Sequence, residues 1–94
     1  MFLDWREEKD RKNQRKHGID FETAQLVFQD PYALMEPERI VRGEQRFVTL
    51  GLVLGQILIV AHTYDQESDR ESAHIISARK ASRHERKRYE NQAY

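Results

Sequence analysis

Two apolar runs around a glycine turn constrain this chain most: Arg46-Phe47-Val48-Thr49-Leu50-Gly51-Leu52-Val53, then Leu54-Gly55-Gln56, then Ile57-Leu58-Ile59-Val60-Ala61-His62-Thr63. Runs rich in β-branched and aromatic residues on either side of a turn predict a long antiparallel hairpin, and the fold has to be built on it. Only 38% of the 94 residues are hydrophobic and 34% are charged. The apolar side chains must therefore be gathered into few elements, and most lie between Ile19 and Ile76. A chain of this length predicts one domain, residues 1–94, around a single core.

Phe2 to Trp5 predicts a short strand, with Asp4 as cap for the helix that follows. Arg6 to His17 contains no apolar side chain, so no hydrophobic stripe can hold this helix, and something else must. Lys9, Asn13, Lys16 and His17 recur at i, i+4, i+7 and i+8 and share one face. Gly18 stops the helix. Asp20 opens a second helix with Phe21, Ala24 and Phe28 as its core stripe, widened by Leu26 and Val27. It ends at Asp30-Pro31, because the residue before a proline leaves the helical region. Tyr32 to Met35 reads as a strand, Pro37 to Gly43 as a loop or irregular hairpin, Tyr64 to Glu71 as a polar loop, and Ser72 to Lys80 as the last strand. Ser82 followed by Glu85 has the capping-box pattern, so a C-terminal helix begins at about Arg83. The expected class is α+β: an antiparallel sheet of about four strands, two N-terminal helices and a C-terminal helix.

Formal net charge is +0, but the average hides a division. Residues 70 to 94 carry seven Lys or Arg against three acids, residues 1 to 17 six against four, and residues 18 to 69 three against nine. If the two basic ends meet, they make a positive surface suited to nucleic acid, while the acidic middle suits a basic partner. A pI near 6.9 argues against tight non-specific binding of duplex DNA. Met1-Phe2-Leu3 is followed at once by Asp4, and no apolar run approaches ~20 residues, so neither a secretory signal nor a membrane span is expected. The absence of cysteine fits a cytoplasmic location.

Several pieces, in order and over almost the whole chain, resemble one family. They are Trp5, Lys9-x-x-x-Asn13-x-x-Lys16-His17-Gly18-Ile19, Phe21-Glu22-x-Ala24-x-x-Val27-Phe28-x-Asp30-Pro31, Gly43-Glu44-x-Arg46, His62-Thr63, and Ile75-Ile76-Ser77-Ala78-Arg79-Lys80-Ala81 with Glu85-Arg86 and Tyr89-Glu90. Together they resemble the BrnT toxin family. The resemblance implies a small bacterial ribonuclease toxin of RelE-like fold, neutralised by a BrnA antitoxin, the pair reaching promoter DNA through the antitoxin. After His62-Thr63 the family pattern continues with an acidic residue, an arginine and a tight turn. Here Tyr64-Asp65 opens a longer loop ending in Arg70, so Arg70 either takes the place of that arginine or leaves it unfilled.

RNA cleavage by attack of the 2′-hydroxyl on the adjacent phosphate needs a base, an acid and cations for the developing charge. Arg79 leads the candidates, because it stands at a strand end and its guanidinium offers two parallel hydrogen bonds. Lys80 follows it, and Arg83 lies at a helix N-terminus whose free N–H groups favour phosphate. His62 is either a satisfied core histidine or a proton-transfer group. Glu44 and Arg46, two apart on one strand face, either meet substrate or form a plain ion pair. Lys9, Asn13, Lys16 and His17 either bind RNA or are a solvated surface. The four histidines lack metal-ligand spacing, and neither a glycine-rich phosphate loop nor a nucleophile elbow occurs, so no metal or cofactor is expected. The partners expected are RNA and an antitoxin. A noncatalytic RNA-binding or partner-binding module would use the same basic surface.

Overall fold

The hairpin lies inside a sheet larger than expected. A computed structural model describes residues 1–92, in the order β1 (Phe2–Trp5), α1 (Glu7–His17), α2 (Phe21–Ala24) with a 3₁₀ continuation (Gln25–Gln29), β2 (Leu34–Val41), β3 (Glu44–Val53), β4 (Gln56–His62), β5 (Asp65–Glu67), β6 (Arg70–Lys80) and α3 (Arg83–Asn91). The sheet has six strands in the order β1-β6-β4-β3-β2, with β5 paired to the start of β6. It is not purely antiparallel, since β1 runs parallel to β6 with Asp4 opposite His74.

Three local departures separate this architecture from the expected one. Pro37 to Val41 extends β2, and proline is tolerated because β2 is the edge strand and needs no outward donor there. Asp65–Glu67 folds back on Arg70–Ser72, converting the expected loop into a small hairpin. The second helix makes one α turn and then tightens to 3₁₀. In a 3₁₀ turn, residues three apart align, which sets Ala24 and Val27 in one line against the sheet. Gly51 of β3 permits that contact, because a Cβ there would stand 2.8 Å from the Val27 Cβ and 2.9 Å from its Cα. Leu54-Gly55 and Arg42-Gly43 close their hairpins with positive φ at both residues, the turn geometry that matches strand twist.

The two sheet faces are treated differently. One packs Ile19, Phe21, Ala24 and Val27 against Val53, Leu58, Val60, Ile75 and Ala78. On the other, α3 covers only one end, where Tyr89 joins Leu34, Leu50, Ile57, Ile59 and Ala81. Tyr89 donates to the Asp30 carboxylate, and its phenol is pushed up to about 12 by burial and by that neighbour. The rest of this second face is open.

What holds α1, which has no apolar stripe, is now visible. Asn13 Nδ2 donates to the carbonyls of Ile19 and Ala78, both at 2.8 Å, and its Oδ1 accepts from the Ala78 N–H at 3.0 Å. Asp10 accepts from the Phe21 N–H at 2.9 Å. β1 stops opposite Ile75, and the Asn13 amide continues the ladder along the edge of β6 that β1 leaves. The helix is docked by hydrogen bonds to main chain. Its N-cap is Arg6, without a side-chain cap, and the expected cap Asp4 instead contacts His74.

Candidate active site

β6 carries the residues that define the open face. Ile75 and Ala78 both point into the helix-covered core, although an odd spacing normally sends residues to opposite faces. A bulge resolves this: Ala61 pairs with Ser77 but His62 pairs with Ile75, leaving Ile76 as the extra residue. His74, Ser77 and Arg79 are thereby brought to the open face. Arg46 and Val48 of β3, Ala61 of β4 and Thr63 just beyond it complete it by alternation.

Two concavities follow each other on this face. The first, of about 380 Å³, is lined by Val48, Ile59, Ala61 and Ser77, with Arg79 and Arg88 facing Glu36, Glu38 and Glu85. Arg79 is forked onto Glu85 at 2.7 and 2.9 Å, and Arg88 meets Glu36 at 2.8 Å. Glu85 also completes the capping box with Ser82. Its carboxyl is held down at about 2, first by the Arg79 hydrogen bond. The second concavity, of about 310 Å³, gathers Arg6, Lys9, Arg42, Arg46 and His74 around Glu44 and Thr63. Arg46 lies 3.6 Å from Glu44. Among the described residues, Arg46 and Arg88 each keep a buried Nε donor without a partner.

The residues singled out in the sequence are distributed as follows. Arg79, Glu44, Arg46 and Lys9 lie on the open face. Lys80 lines a neighbouring groove with Ile57, Arg86 and Glu90. Arg83, Lys16 and His17 are outside both concavities, and Arg70 opens β6 at its far end. Asn13 and His62 lie inside the protein, where their polar atoms are already bonded. Arg6, Arg42, His74 and Arg88 are site residues that the sequence pattern does not pick out, and Asp4 joins them in place of its expected role as a helix cap. The signal for the Asp4–His74 pair is a strand pairing between residues 70 apart, which local pattern does not carry.

His62 is fully buried between Phe28 and Phe47. Its Nδ1 lies 2.6 Å from the Thr63 carbonyl, which can only accept, so the proton sits on Nδ1 and Nε2 accepts from the Thr49 hydroxyl at 2.7 Å. Burial lowers its pKa from the ordinary 6.5, with the Thr63 carbonyl opposing. A depressed folded-state pKa means that the unfolded chain takes up the proton first. Stability from this site is therefore complete above about 6.5 and is lost as pH falls below it. Glu85, with its carboxyl depressed from 4.5 to about 2, loses its contribution only at lower pH. Melting temperature is expected to begin falling between about pH 6.5 and 4.5. His62→Gln should start lower at neutral pH and fall less steeply over that interval. Parallel curves for the two proteins would remove His62 as the cause.

A family profile described as the ribonuclease toxin BrnT of type II toxin-antitoxin systems matches residues 5–85. The chain belongs to the BrnT family. A comparison with curated proteins gives no match. BrnT membership makes this a ribonuclease toxin family member whose system includes an antitoxin, and both concavities contain residues within the matched span. Among the described residues, no helix is long and apolar enough to cross a membrane, and no three His, Asp or Glu side chains are grouped to hold a metal ion.

Proposed function

We propose that this BrnT chain is a metal-independent endoribonuclease that cleaves RNA on the open sheet face and so inhibits translation and growth. The observation that carries the reading is the convergence of Arg46, Lys9 and Arg79 on one uncovered face. Arg46 in one concavity and Arg79 in the other bind phosphates of the same RNA strand, with RNA exchanging for Glu85 on the Arg79 fork. Lys9 and Arg6 draw the flanking backbone in. N-terminal helical segments packed on one face, and an arginine-bearing surface on the other that α3 covers only at one end, support a RelE-like reading of the fold. A BrnA-like antitoxin neutralises the enzyme by covering this face, and promoter DNA is reached through that complex.

Attack by the 2′-hydroxyl leaves a cyclic phosphate on one fragment and a 5′-hydroxyl on the other. Purified protein incubated with RNA in EDTA is expected to give those ends at an unchanged rate. Cleavage abolished by EDTA and restored by a divalent ion would overturn metal independence. RNA binding without cleavage would identify the chain as a noncatalytic module.

A further inference from the structure

We infer that His74, positioned by Asp4, is the proton-transfer residue of the cleavage reaction. This rests on the ribonuclease reading above and names the group that performs its acid–base step. Cleavage by a 2′-hydroxyl requires a side chain that accepts a proton and gives it back near neutral pH, which is the ordinary role of imidazole. Four histidines are available. His62 is sealed in the core with both nitrogens engaged. His17 ends α1 and His84 lies in the exposed first turn of α3, and neither lines either concavity. His74 lines the cationic one.

Its surroundings have the form such a group needs. Nδ1 lies 2.7 Å from Asp4 Oδ1, so the carboxylate fixes the ring and holds the proton on Nδ1. Among the described residues Nε2 has no hydrogen bond, which leaves it for substrate. The arrangement is built into the backbone, since Asp4 and His74 are register partners of the parallel β1–β6 pair, and the His74 N–H is itself held by Thr63 Oγ1 at 3.1 Å. The charged groups sharing the concavity are Arg6 at the N-cap of α1, Lys9 from α1, Arg42 from the β2–β3 turn, and Glu44 and Arg46 from β3. The cations outnumber Glu44 and place a phosphate beside the ring.

The step balances. Nε2 takes the proton from the 2′-hydroxyl as the O2′–P bond forms. The P–O5′ bond breaks, and the imidazolium returns the proton to the departing 5′-oxygen. Asp4 does not touch substrate and is a positioning residue.

The test measures cleavage rate against pH for the whole protein and for His74→Gln, His74→Gly and Asp4→Asn, with melting temperature and RNA affinity alongside. His74→Gln is expected to keep its fold and its RNA affinity, and to lose on the order of a hundredfold or more in rate. Free imidazole should restore part of the activity of His74→Gly. Asp4→Asn should lower the rate and displace the pH profile. Full activity of a folded His74→Gln, or a lost rate with neither imidazole rescue nor a changed pH profile, would overturn the assignment while leaving the ribonuclease intact. Failure of the unaltered protein to cleave RNA would overturn the function and the assignment together.

Discussion

Asn13→Ala is expected to destabilise the fold by about 3–5 kcal/mol. The change strips partners from the Ile19 carbonyl and from both the N–H and the carbonyl of Ala78. A buried polar group left without its partner costs roughly 1–3 kcal/mol. Against a total stability of about 5–15 kcal/mol, that is a large share. Asn13→Asp should be worse, because it removes both amide donors and sets a negative charge against two carbonyl oxygens. Urea unfolding of the three proteins checks the order. A midpoint for Asn13→Ala equal to that of the unaltered protein would mean that α1 is held by something other than this amide.

Arg79→Ala is expected to lower RNA cleavage by on the order of a hundredfold, the scale seen when a group that positions the substrate for attack is removed. Stability should move far less. The Arg79 side chain is 45% exposed in its pair with Glu85, and a pair so open to solvent contributes about 1 kcal/mol or less. Glu85 also keeps its bond to the Ser82 N–H at 2.8 Å. Activity and melting temperature are thus predicted to part company, which separates a substrate contact from a brace for α3. Glu85→Gln supplies the reverse experiment: with the fork loosened, RNA affinity should rise. An unchanged affinity together with a folded, fully active Arg79→Ala would place the guanidinium in a structural role.

Much of the fold is written in neighbouring residues. The β3–β4 hairpin follows from its apolar runs and the Leu54-Gly55 turn, and the Ser82–Glu85 capping box starts α3 as its spacing predicts. What stayed hidden depends on partners distant in sequence. β1 has only four residues and gains its place from β6 at the opposite end of the chain. The strand character of Pro37 to Val41 comes from pairing with β3, outweighing the turn-forming composition. Asn13 illustrates the same limit at the site. Its spacing groups it with Lys9 and Lys16, but the edge of β6 beyond β1 claims its amide. For Glu44 and Arg46, two residues on one strand already placed them on a common face. Only the Ile76 bulge tells that His74 and Arg79 share theirs, and a bulge leaves no mark in composition.

The last strand of the chain is also the one on which β1, β4 and β5 assemble, and it carries His74, Ser77 and Arg79. Folding therefore imposes an order on the assembly of this face. A chain emerging from the ribosome has its first strand, its docking amide and its central hairpin in hand long before it has the strand that joins them. Until Lys80 is clear, Asn13 has no edge to close and Asp4 has no histidine to orient. The strand that completes the sheet is thus also the one that completes the open face, and a chain in which β6 has not yet paired has neither the Asp4–His74 contact nor the Arg79–Glu85 fork in place.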